Sequence, residues 1–252
     1  MTMNLKPPLR YQLRELLVGD AVYLGINLVF ILLNFSSIMI WNGTNFYFNG
    51  FGLGCIFLFL IYGIVLPRPS FRLSVQLGIS RRTTFWSLLL STVLGIAVLA
   101  IIGELLTIMA RAATDTAETF FVYFNLYDII YLNNAVSLTL GQHVLSILVN
   151  ITVLFLCFTI GLLLTLLFWR LSKLGCVIVG LLLAFLFLGF PPILFSFQGL
   201  MGPVLRLLEA VKRTVLLSPW HGMALLFVAI VLLALVSWGL VRRLNIRGTS
   251  LK

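Results

Sequence analysis

The stretch VLSILVNITVLFLCFTIGLLLTLLFW, residues 144 to 169, contains no charged side chain and interrupts its apolar run with one amide, Asn150. At 1.5 Å per residue a helix of this length exceeds the roughly 30 Å hydrocarbon core of a bilayer. In water it would have no polar face to present, so its solvent is lipid. Working outward, five more stretches read the same way, giving six spans at about 21–41, 46–66, 85–109, 144–169, 175–195 and 223–241. The whole chain agrees: 61% hydrophobic residues, 10% charged residues and a mean hydropathy of +1.14 over 252 residues lie far from the composition of a soluble domain. The predicted class is an all-α integral membrane protein forming a single transmembrane domain over residues 1–252.

The first apolar run, from Ala21, is already long enough to span, and no short apolar core with a small-residue cleavage site precedes it, so the sequence reads as an uncleaved first helix. Ahead of it, Pro7-Pro8 leads into Leu9, Leu13, Leu16 and Leu17, with Arg10 and Arg14 on another face. That pattern predicts a short elbow helix over about 7–18 lying in the interface. With the N-terminus in the cytoplasm, thirteen Lys and Arg fall on the cytoplasmic side and four, Arg111, Arg206, Lys212 and Arg213, outside. The positive-inside rule then places both termini in the cytoplasm. The net charge of +10 is spread over short loops instead of one patch, which speaks for topology and against a nucleic-acid partner.

Several chemistries lack their residues. There is no Gly-x-x-x-x-Gly-Lys-Ser/Thr loop for nucleotide phosphates, no His-Glu-x-x-His pair for zinc and no Gly-x-Ser-x-Gly nucleophile. Cys55, Cys157 and Cys176 sit singly in apolar runs and read as packing residues. No catalytic or metal-ligating set is predicted. The intramembrane polar residues Asn27, Asn34, Glu104 and Asn150 are candidates for a substrate path, against interhelical hydrogen bonding as the alternative. Glu104 reads as the one acidic residue deep in a span. The loop between spans three and four carries an aromatic cluster from Phe120 to Tyr131, read as a belt at the outer headgroups. Beyond Pro191-Pro192, which break the fifth span, Pro203 to Leu217 has helical periodicity, with Arg206, Glu209 and Arg213 opposite Val204, Leu207 and Val211. That segment predicts an outer amphipathic helix too short and too charged to cross.

The most informative loop is LPRPSFRLSVQLGISRRTTFW, residues 66 to 86. It is too apolar for a linker. Read as a helix, it is apolar on two sides, with Phe71 and Val75 forming one i, i+4 pair and Leu73 and Leu77 another. One side suits the bundle and the other a soluble partner. Leu77-Gly78-Ile79-Ser80-Arg81-Arg82, followed by Phe85, resembles the Leu-Gly-x-Ser-Arg stretch of bacterial ABC-2 type permease subunits. The elbow helix, the broken element between spans five and six, Ser218-Pro219-Trp220 and the basic Arg242-Arg243 tail extend the resemblance more loosely. The long loop 110–142 departs from it.

That resemblance implies a multi-pass protein of the bacterial cytoplasmic membrane, exporting an amphipathic peptide, lipid or drug. It implies two permease subunits, identical or different, and a separate P-loop ATPase carrying ATP and magnesium. Phe71, Leu73, Val75, Leu77, Gly78, Ser80, Arg81 and Arg82 would form the ATPase-coupling segment. The outer helix with Pro191, Pro192, Arg206, Glu209 and Arg213 would act as a gate. Two other classes stay open: a membrane-embedded hydrolase assembled from Glu104, His143 and His221, and a non-transporting immunity or sensor protein that binds peptide at the outer aromatic loop.

Overall fold

A computed structural model describes residues 6–40, 46–48, 50–114, 121–123, 127, 131, 139–171 and 218–242. The described chain is helical apart from one three-residue strand pair. Its elements are α1 (Lys6–Ile40), β1 (Phe46–Phe48), α2 (Gly50–Val65), α3 (Pro67–Gln76), α4 (Arg81–Thr114), β2 (Phe121–Tyr123), α5 (Leu140–Arg170) and α6 (Pro219–Arg242). β1 and β2 pair in parallel, with Phe46 opposite Phe121 and Phe48 opposite Tyr123. Four helical stretches are long and apolar enough to cross a membrane: Gly54–Gln76, Arg81–Met109, Leu140–Arg170 and Pro219–Arg242. They mark a multi-pass membrane protein.

Burial is arranged for lipid. On α4 the residues Thr83, Thr84, Ser87, Ser91, Thr92 and Thr107 face inward and are buried, while Trp86, Leu90, Leu94, Val98, Ile101 and Leu105 face outward. Most of the inward hydroxyls bond their own helix backbone, as Thr92 Oγ1 does to Leu88 O at 2.8 Å and Thr107 Oγ1 to Gly103 O at 2.9 Å. A soluble helix would show the reverse distribution. Phe59, Phe85, Leu88, Ile96, Phe158, Leu162 and Leu166 form the centre of the apolar core.

Two glycines set the closest approach. A Cβ added to Gly63 would stand 2.3 Å from the Phe158 carbonyl oxygen, and one added to Gly161 would stand 2.4 Å from the Leu60 carbonyl oxygen. Here α2 and α5 meet backbone to backbone, as small residues permit in membranes. Thr165 Oγ1 adds a bond to Ile64 O at 3.0 Å. A Cβ added to Gly54, within α2, would instead strike the Tyr23 ring of α1.

Three tryptophans mark one end of the bundle. Trp86 begins α4 beside Phe85, Phe85 packs on Trp238 near the end of α6 at 5.4 Å, and Trp169 at the end of α5 meets Phe71 of α3 at 6.1 Å. The same end carries Arg68, Arg72, Arg81, Arg82, Arg170 and Arg242. At the opposite end Glu104 of α4 meets His143 of α5. So α4 runs against α5, and α6, which packs on the bundle through Gly222, Ile230, Ser237 and Val241, runs alongside α5 in the same direction. Residues 171 and 218 therefore lie at opposite ends of the bundle.

The elbow and the first span are one unbroken helix, α1, because Pro7 and Pro8 occupy its first turn, where proline is tolerated, and nothing after them interrupts the ladder. The second helix begins at Gly50 instead of residue 46, since Phe46–Phe48 pairs as a strand. The fifth span and the outer amphipathic helix, with Pro191, Pro192, Arg206, Glu209 and Arg213, lie outside the described residues.

Candidate functional site

The segment between α2 and α4 is built by two capping devices. α3 begins with Pro67 in its first turn, and at its other end Ile79 N–H donates to Ser74 O at 2.8 Å while Gly78 N–H donates to Val75 O at 3.1 Å. This pair of bonds, with Gly78 at φ +68°, is a Schellman stop, which favours glycine at the left-handed position. Immediately afterwards Ser80 caps α4: its Oγ accepts from Thr83 N–H at 3.2 Å, and Thr84 Oγ1 donates to its carbonyl at 3.1 Å. Leu-Gly-x-Ser-Arg thus has a complete local reason: helix stop, one linking residue, helix start.

α3 then shows two faces. Pro67, Ser70, Phe71 and Ser74 are buried, Phe71 to 2% by its edge-to-face contact with Trp169. Arg68, Arg72, Val75, Gln76 and Leu77 are exposed, Leu77 at 61%, and Leu73 is half-buried. The helix has one buried and one open face, and Val75 belongs with Leu77 on the open side and not with Phe71. A buried face at i, i+3, i+4 and i+7 fixes one orientation. Gly78 and Ser80 are exposed at the turn, Arg82 is exposed and Arg81 half-buried.

At the opposite end of α4 the structure joins residues that the sequence could only name separately. Glu104, 2% exposed, pairs with His143 Nδ1 at 2.6 Å through Oε1 and accepts from Ser146 Oγ at 2.8 Å through Oε2. His143 and Ser146 are three apart on α5, so both reach one carboxyl. The carboxyl is the hub. A hydrolytic triad needs the imidazole between acid and serine, whereas here Ser146 donates to the acid. His221 is held elsewhere, its Nδ1 2.6 Å from Ser218 Oγ at the start of α6. Among the described residues no group of three His, Cys, Asp or Glu side chains is gathered to hold a metal.

Of the other polar candidates, Asn27 is buried and donates from Nδ2 to Tyr23 O at 2.8 Å, a bond within its own helix. Asn150 is buried beside a cavity of about 10 Å³ lined also by Phe51, Cys55, Leu99 and Gly103, the size of one water. The Asn34 side chain lies outside the described residues. The sequence reading missed Asp20. Asp20 precedes the predicted first span, yet it is 3% exposed and packs against Gly95, the midpoint of the Arg81–Met109 stretch. The clue was present: Gln12, Asp20 and Asn27 recur at helical spacing, and all three are buried on the face of α1 turned to α4.

No family model matches this chain, and no curated protein or solved structure matches it either.

Proposed function

We propose that this protein is the permease subunit of an ATP-binding-cassette exporter in a bacterial cytoplasmic membrane, with six spans and both termini in the cytoplasm. It pairs with a second permease subunit and with a separate P-loop ATPase, and moves an amphipathic peptide, lipid or drug outward. The observation that carries the reading is α3: a short helix at the arginine-rich end, fastened by Phe71 to Trp169, with Val75 and Leu77 exposed beside Arg68 and Arg72. An apolar pair ringed by cations suits a soluble partner with an apolar pocket and an acidic rim. The parallel course of α5 and α6 supports a crossing between them, hence six spans.

In this mechanism closure of the ATPase pair displaces α3. The four-residue link from Leu77 to Ser80 passes the push to α4, a helix that extends to Glu104 and its partner His143 at the far end. The ATPase supplies ATP and magnesium.

Co-purification in mild detergent with mass-spectrometric identification tests the proposal. The wild type brings down a P-loop ATPase, and Val75→Asp with Leu77→Asp loses it while keeping the thermal melting curve. A partnerless wild type, or a double variant that still binds, overturns the reading. Glu104→Gln with His143→Ala separates it from the hydrolase alternative: ATP-dependent export survives that pair of changes, whereas a hydrolase built on the cluster loses its turnover.

A further inference from the structure

Asp20 poses a chemical problem that none of its neighbours solves. Both carboxyl oxygens are buried and neither makes a hydrogen bond, and the Tyr62 hydroxyl and the Gln12 side-chain nitrogen are likewise buried without partners. Tyr62 interacts electrostatically with the Asp20 carboxyl, but outside hydrogen-bond geometry. The site is closed on two sides by glycine: the Tyr62 hydroxyl lies against Gly19, 2.2 Å from where its Cβ would be, and Asp20 Oδ2 lies 3.5 Å from a Cβ added to Gly95. Ionisable neighbours are Tyr62 and Cys55, both on α2. α4 presents Gly95 there, and neither side supplies a cation.

A carboxylate at this depth has four ways to be tolerated: a basic partner, several donors, a metal ion or a proton. The salt bridge among the described residues is that of Glu104 with His143, so Asp20 has no basic partner there. The hydrogen bonds that hold a carboxylate ionised are missing. A metal needs a shell of ligands, and among the described residues no group of three His, Cys, Asp or Glu side chains is gathered to hold one. A proton needs no room.

We propose that Asp20 is an intramembrane proton-binding site, its carboxyl protonated in the packed state of α1, α2 and α4. Releasing the proton as H⁺ leaves the carboxylate, which must then meet water. That requires α1 to part from Tyr62 and Gly95, so proton loss and the opening of the α1 seam are one event. The proposal does not depend on which substrate, if any, the protein moves.

Infrared difference spectroscopy tests it on the full chain in lipid, stepped from neutral to alkaline pH in sodium and in choline buffer. A protonated carboxyl band is expected at neutral pH in both buffers. It is retained in Glu104→Gln and lost in Asp20→Asn, whose amide imitates the neutral acid and keeps the fold. Should Asp20→Asn fold poorly, ¹³C-aspartate labelling of the wild type replaces it: the band shifts with labelled aspartate and not with labelled glutamate. A neutral-pH spectrum without an aspartic acid band overturns the proposal, as does a band that appears only when sodium is withdrawn.

Discussion

Single residues decide the geometry at both ends of α4. Gly78 sits at φ +68°, where a side chain costs about 1 kcal/mol. Gly78→Ala is therefore expected to lower stability by about that amount in a reversible denaturant titration, and to loosen α3 in hydrogen exchange before α4. At the far end Glu104 accepts from both His143 and Ser146. Removing one donor to a buried acceptor costs about 1–3 kcal/mol, so His143→Ala should shift the same titration by that much and Glu104→Gln by less. What sequence could supply here was residue type without pairing. Glu104 and His143 both stood out, but they are 39 positions apart, and only the packing of α4 on α5 makes them partners. Asp20 escaped for another reason: a run of apolar residues locates a span to within a turn or two, and Asp20 stood at that blurred edge.

Helices α3 and α5 show what periodicity reveals and where it stops. That a short helix lies within the loop at 66–86 is legible, because its residue types and spacing are local properties. Which residues face the bundle was not legible, since Phe71 is chosen by Trp169, almost a hundred positions away on another helix. Truncation of Phe71 should cost about 3 kcal/mol and free α3 from α5, read as a loss of Trp169 fluorescence shift in a Phe71→Ala protein. For α5 the decisive residue is Gly161. Its partner Gly63 is invisible to a search within one helix, because the motif is shared between two. Gly161→Val drives a side chain into the Leu60 carbonyl and is expected to destabilise by several kcal/mol, above the usual 1–3 kcal/mol of overpacking, since backbone cannot step aside. Unfolding in mixed micelles measures it.

For the molecule as a whole, hydropathy made the class legible, and four long apolar stretches bear it out as a multi-pass membrane protein. Arg81 and Arg82 of α4, Arg170 of α5 and Arg242 of α6 lie at one end of the bundle, while Arg111 falls at the other end of α4. Single cysteines placed at Gln76 and Leu140, in a variant without Cys55, Cys157 and Cys176, should react with an impermeant maleimide from opposite sides of sealed vesicles. Labelling from the same side would break the arrangement. The continuity of α1 was not legible, because an interfacial helix and the first turns of a spanning one carry the same mixture of leucine and arginine.

The contact of Gly63 with Gly161 has a mechanical meaning. Where two backbones touch, no rotamer can change to absorb a shear, and sliding either helix by one residue would bring a side chain into a carbonyl. α2 and α5 are thus a keel. Any change of shape has to hinge at seams padded by side chains, such as the one between α1 and α4, where Gln12, Leu16 and Asp20 meet Ser87 and Gly95. If this protein moves, α1 swings and the keel stays.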